Sequence, residues 1–292
     1  MPFFILACSF LLWGCYSPRY VYSPSAHNVP FTHAKGETKL SAGYASNLTY
    51  KNHEENTDWV NKASGFDVQA AYAIQDSWVV TGAYFNRREK NTGSFSFVDL
   101  DSAVIRYRRQ LTEFGVGYNK PLNARKTLYI QALAGMGLGR FQFTDDGTGS
   151  NGEAYTRHHN AHVTKFYIQP VLTVKRKEYF IASFSNRFSA IKYADVQTDY
   201  SEDELIRYQL NDLSQSMVYF WEPAIVNAVG LKKVPGLWLE FQFGLSMLLN
   251  KRFVDARSFN FSLGLIADAT KWNAKQRQKK EEKQNQEELV KW

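Results

Sequence analysis

The chain has 292 residues, 44% of them apolar and 22% charged, with a mean hydropathy of −0.40. That balance excludes a multi-span helical membrane protein, and the one continuously apolar window, Pro2 to Trp13, is too short to cross ~30 Å of hydrocarbon as a helix. Two Cys, at 8 and 15, exclude a disulfide-stapled fold and a Cys-based zinc site. The net charge of +7 is spread along the whole length without a basic stripe, which argues against nucleic acid as a partner.

Residues 1–14, MPFFILACSFLLWG, form an apolar run closed by a small residue, the pattern of a secretory signal. Leu12-Trp13-Gly14-Cys15 resembles the bacterial lipoprotein signal, with Leu three before the Cys and Gly one before it. The resemblance implies that Cys15 becomes the first mature residue, acylated on sulfur and amine. Trp13 stands where a small residue is usual, and no Lys or Arg precedes the run. The plainer reading is a signal peptide with a chance Cys. Residues 15–35 follow as an extended tether: Pro18, Pro24 and Pro30 each fix φ and remove a donor. Its aromatics belong either at a membrane interface or in solvent.

From Gly36 to Ala267 the chain alternates apolar and polar residues in segments of roughly ten, the signature of a transmembrane β-barrel. In the clearest segment Leu237, Leu239, Phe241, Phe243, Leu245, Met247 and Leu249 oppose Glu240, Gln242, Gly244 and Ser246. Ten strands are expected near 37–46, 64–75, 77–88, 103–119, 127–143, 162–175, 178–190, 215–229, 237–249 and 257–267. Connections after even-numbered strands are tight. Those after odd-numbered strands are mostly long and polar (47–63, 89–102, 144–161, 191–214), with 250–256 the exception. Short turns on one rim and long loops on the other is the layout of outer-membrane barrels, and an even count puts both termini on the short-turn, periplasmic side. Trp78, Tyr118 and Trp238 are expected in one aromatic girdle, Tyr84, Phe141, Phe143 and Phe259 in the other.

The layout of residues 15–267, with the style of the segment Tyr107–Gly139, resembles the small outer-membrane β-barrel lipoproteins of Bacteroidota-type bacteria. The last strand departs from barrels generally: it ends at Leu265-Ile266, without the terminal aromatic that assembly machinery usually reads.

If the apolar phase faces lipid, the other phase fills the lumen with Asp67, Glu113, Glu222, Glu240, Lys165 and Arg187, plus Gln69, Gln131, Gln169, Gln242 and Asn260. Ten strands enclose little more room than eight, so side chains should fill the inside. Unpaired charges there cost several kcal/mol, so Glu113, Glu222 and Glu240 should be linked to Lys165 and Arg187. This network is either structural or the lining of a narrow path. His158, His159 and His162 invite a zinc or copper site, but neighbours on a strand point to opposite faces, so a solvated polar loop is the plainer reading. The Asp145–Glu153 loop lacks the order of a calcium hand and the Lys of a phosphate loop. The acidic run Asp195–Asp212 reads as a solvated loop with a short helix at Ser201–Leu210.

After Ala267 the composition changes: residues 268–292 have no Gly or Pro and are rich in Lys, Gln and Glu, as in a charged helical tail. It reads as a solvated helix or as a contact to peptidoglycan or a periplasmic protein. The whole is expected to be a non-enzymatic outer-membrane β-barrel lipoprotein among membrane lipids, with a filled lumen, no cofactor, and recognition through its outer loops and tail. The alternatives are a narrow, porin-like channel or transporter for small solutes, and a membrane hydrolase of the omptin or lipid A-modifying kind using His162.

Overall fold

The computed structural model describes residues 19–32, 34–47, 50–54, 57–94, 102–148, 152–176, 179–250 and 254–270. The signal segment, Cys15 and residues 271–292 of the tail lie outside them.

Ten long strands form one antiparallel barrel: β1 (Thr38–Ser46), β2 (Thr57–Ala73), β3 (Trp78–Ser94), β4 (Ser102–Pro121), β5 (Leu128–Thr148), β6 (Ala154–Arg176), β7 (Phe180–Thr198), β8 (Val218–Gly230), β9 (Leu237–Leu245) and β10 (Phe259–Asp268). Two short pieces, Tyr50–Glu54 and Met247–Leu248, extend the ladder against β2 and β8. Each strand pairs with its sequence neighbours. The barrel closes because β1 pairs with β2 on one side and with β10 on the other, Gly43 lying opposite both Asp67 and Gly264. Closure removes the free edges that an open sheet would present.

Alternation decides which face is which. In β5 the side chains of Ile130, Met136 and Leu138 are exposed on the outside, whereas Tyr129, Gln131 and Leu133 are buried within. The apolar exterior continues through Phe66 and Val68, Phe114 and Val116, Phe166 and Ile168, and Leu263 and Leu265. An apolar outside around a polar inside inverts the arrangement of a water-soluble barrel. Gly135 serves this packing on the inner face: a Cβ there would fall 2.5 Å from the Tyr167 hydroxyl and 2.3 Å from the Phe114 carbonyl oxygen.

The strands run further toward the long-loop rim than alternation of apolar residues suggests. Much of what reads as loop at 47–63, 89–102, 144–161 and 191–214 is strand, with β3 reaching Ser94 and β5 reaching Thr148. Above the apolar belt the outward positions turn polar, so the hydrophobic signal ends while the backbone ladder continues. Within the longest connection, α1 (Glu202–Arg207) is shorter than expected and is started by a capping box between Ser201 and Glu204.

Three girdle aromatics are corrected. Trp78 and Tyr118 are exposed at the short-turn rim, their rings edge to face at 5.3 Å. Trp238, Phe141 and Phe143 instead share the inward phase and are buried. Phe141 and Phe143 belong to an aromatic core in the long-loop half of the lumen, with Tyr107, Tyr193, Tyr200, Tyr208 and Phe220.

Candidate functional site

The inward phase of four strands delivers Glu113 from β4, Lys165 from β6, Arg187 from β7 and Glu222 from β8 to the middle of the lumen, none more than 2% exposed. Lys165 Nζ lies 3.0 Å from Glu113 and 3.7 Å from Glu222, and Arg187 lies 3.8 Å from Glu113. Glu240 is not in this group. It sits toward the short-turn rim, 3.1 Å from Lys39. Asp67 is also apart, held bidentately by Arg87, with one contact at 2.7 Å. Nearer the long-loop end Glu89 accepts from Arg109 at 2.6 Å and from Arg257 at 2.8 Å. Pairing of this kind is what makes such charges tolerable away from water.

What completes the lumen is the chain itself. Residues 19–32, read from the sequence as part of a tether at an interface or in solvent, run extended inside the barrel, with Val21, Ala26 and Val29 buried. Extended chain in such a place must have its backbone groups satisfied, and the inward amides do most of this in place of a neighbouring strand. The Ala26 carbonyl accepts from Gln69, that of Asn28 from Gln169, that of Pro30 from Gln131 and that of Thr32 from Asn119, at 2.8–3.3 Å. Gln242 takes both sides of His27, accepting from its N–H and donating to its carbonyl, each at 2.9 Å. Lys39 donates to the Val29 carbonyl at 2.9 Å and Tyr193 to that of Val21 at 2.9 Å. Prolines suit the segment because each has only an acceptor to satisfy.

Side chains of the segment enter the charge network directly. The Tyr22 hydroxyl donates to Glu222 at 2.7 Å and accepts from Lys165 at 3.2 Å. Ser25 Oγ accepts from Arg187 at 3.0 Å. The His27 ring lies 2.8 Å from the Ser185 hydroxyl. At the long-loop end Arg19 pairs with Asp145 and stacks over Tyr208 at 3.7 Å. At the other end Lys35 N donates to Asp76 and Gly36 N to the Ala73 carbonyl, in the short-turn rim. The segment therefore spans the barrel from one rim to the other before β1 turns back. Arg19 and Thr270, the first and last described residues, lie at opposite rims, since Thr38 N donates to Thr270 Oγ1 beside the short turns. Strand parity puts the start of β1 and the end of β10 at one rim, and residues 19–32 add a crossing that is not a strand of the sheet.

The three histidines do not converge. His158 and His162 are exposed on the outer face, His162 3.0 Å from Asp195, whereas His159 is buried inward and stacked on Phe143 at 5.1 Å. Asp145 and Asp146 likewise part, Asp145 inward to Arg19 and Asp146 outward to Arg106. Sequence reading missed Tyr22, Ser25, Lys39, Arg87, Glu89, Arg109 and Arg257, and it placed Asp145 in a surface loop rather than in the lumen. Arg87 and Glu89 were recoverable by extending the β3 alternation past Phe85. The segment before Gly36 has no periodicity to extend.

No protein-family model matches the chain, and no curated protein matches it. Among solved structures the chain is similar to the translocator domain of autotransporter NalP from Neisseria meningitidis, at 12% identity and a TM-score of 0.46, covering 80% of this chain and 89% of that one. It is similar to the outer membrane protease OmpT from Escherichia coli at 11% identity and a TM-score of 0.43, covering 84% and 100%. It is also similar to the outer membrane protein OprG from Pseudomonas aeruginosa at 8% identity and a TM-score of 0.36, covering 80% and 96%.

Proposed function

We propose that this chain is a non-enzymatic outer-membrane protein: a barrel sealed by its own N-terminal segment, which offers its long-loop mouth outward as a recognition surface. The observation that carries this reading is the occupied lumen, where residues 19–32 use the polar groups that a permeating solute would otherwise meet. The apolar belt supports the membrane location, and the long loops are taken as the outer side. Residues 268–292 then begin at the periplasmic rim, placed to touch peptidoglycan or a periplasmic protein.

Acylation of Cys15 belongs to the same proposal with one change. Cys15 is four residue steps from Arg19, a reach of at most about 14 Å of extended chain, so its lipid would enter the leaflet at the long-loop end, not the one at the short-turn rim where strand parity alone would put the chain's start.

The second reading is a gated path for small solutes, opened if residues 19–32 leave. The charged wall of Glu113, Lys165, Arg187 and Glu222 favours it. Conductance across a planar bilayer separates the two. The folded, heat-modifiable full chain is expected to stay silent at every voltage, where a gated path would open intermittently; a chain lacking residues 19–32 should conduct on either reading. Steady openings from the full chain would refute the sealed barrel. The hydrolase reading reduces to His162 with Asp195, a couple on the outer face; His162→Ala should leave surface proteolysis and the lipid A profile unchanged.

A further inference from the structure

The outer face of β2–β5 carries cations set directly against one another. Lys62 lies opposite Lys90, and Lys90 opposite Arg106; in the next row Arg88 lies opposite Arg108. Directly opposed residues have Cβ atoms about 4.5–5.5 Å apart, and like charges so placed are destabilising. All five side chains are exposed on the outside. Arg106 is paired with Asp146, but among the described residues no carboxylate pairs with Lys62, Arg88, Lys90 or Arg108. Together with Gln142 and His158 they wall a groove of about 600 Å³.

The groove stands above the apolar belt on the same outward phase. Two residues past Ser64 in β2 comes Phe66; in β5 Arg140 follows Leu138 with the same spacing; in β4 the polar run from Arg106 gives way to Phe114 and Val116. A ligand that neutralises this patch from the membrane side must therefore be anionic at its head and apolar below. Free solvated cations need no such register, and the outer end of β8 and the short piece after β9 carry Tyr219 and Met247 instead.

We propose that this face binds the phosphate-bearing headgroup of a lipid in the leaflet at the long-loop end. Arg88, Lys90 and Arg108 hold the phosphate, and the acyl chains lie along Phe66, Phe114 and Leu138. The site rests on the membrane-spanning reading above. Arginine and lysine suit it because charge-assisted bonds to phosphate are about twice as strong as neutral ones.

The test refolds the full chain and the triple variant R88Q/K90Q/R108Q into phosphatidylcholine vesicles, with K232Q/K233Q at the short-turn rim as control. Heat-modifiability is scored first, because failure of the full chain to insert would sink the membrane reading itself. Lipid binding is then read by native mass spectrometry and by melting, using diphosphorylated lipid A, dephosphorylated lipid A and inorganic pyrophosphate as probes. The full chain and the control should retain diphosphorylated lipid A, with affinity at least about tenfold weaker in the triple variant. The lipid should raise the melting temperature of the full chain and not that of the triple variant. Without lipid the triple variant should melt no lower than the full chain, since it has lost only repulsion. Equal retention by the triple variant, or equal retention of the dephosphorylated lipid, would overturn the site. Complete displacement by pyrophosphate would assign the patch to a soluble anion and overturn the lipid.

Discussion

Glu113 shows how tightly a single residue is held. It faces both Lys165 and Arg187, and Ser25 of the inner segment comes within 3.5 Å. Removing one partner of a buried pair leaves the other charge stranded, at about 3–5 kcal/mol. Glu113→Ala should therefore lower the temperature at which the heat-modifiable form is lost, whereas Glu37→Ala at the rim should not. An unchanged transition for Glu113→Ala would show that the network contributes nothing to stability. The inward placement of Asp67, Glu113, Lys165, Arg187, Glu222 and Glu240 was legible from alternation. Their partners were not. Glu240 takes Lys39 and Asp67 takes Arg87 because distance around the barrel wall decides pairing, and a list of inward residues contains no distances.

At the scale of elements, the connection between β7 and β8 holds a helix that local chemistry starts and tertiary contacts keep. Ser201 Oγ accepts from Glu204 N, and the Glu204 carboxylate accepts from Ser201 N at 2.8 Å. Ser201→Ala should cost about 1 kcal/mol of local stability, seen as faster hydrogen exchange of the α1 amides with the barrel unchanged. Partial burial opposes the charge of Glu204. The Ser201 hydrogen bonds and the Arg157 guanidinium outweigh that effect and hold the carboxyl below its ordinary value. Its contribution is therefore present above the ordinary carboxylate range and is lost as pH falls through the lowered value. Protection of the α1 amides, taken as exchange relative to the free-peptide rate at each pH, should fall at acid pH, and Glu204→Gln should flatten that fall; wild-type protection that does not change with pH would contradict the cap. Sequence revealed this helix through its acidic start, yet not the partners of the loop, where Tyr200, Tyr208, Leu210 and Leu213 close the aromatic core over Val21 and Tyr22.

For the whole molecule the sealed, two-ended arrangement makes a topological claim. With the long loops outside, Glu202→Cys should react with a membrane-impermeant maleimide on intact cells, and Lys233→Cys only after the outer membrane is breached. The reverse pattern would invert the barrel in the membrane and with it the side at which residues 19–32 begin. The lumen of this barrel is a small protein interior: polar and ion-paired at its centre, aromatic toward the long-loop mouth, and crossed from rim to rim by chain that is not part of the wall. Such a filling couples sealing to folding, because amides such as Gln131 and Gln169 would lack these backbone partners if the segment left.

The amino-acid sequence by itself determined the wall. Within the apolar belt, alternation of period two specifies strand and face, since every second side chain there must suit lipid or lumen whatever lies farther away. Only the tertiary structure decided what stands inside. Residues 19–32 are held by amides and charges contributed from across the barrel, and contacts between positions so far apart in the chain leave no local period to read.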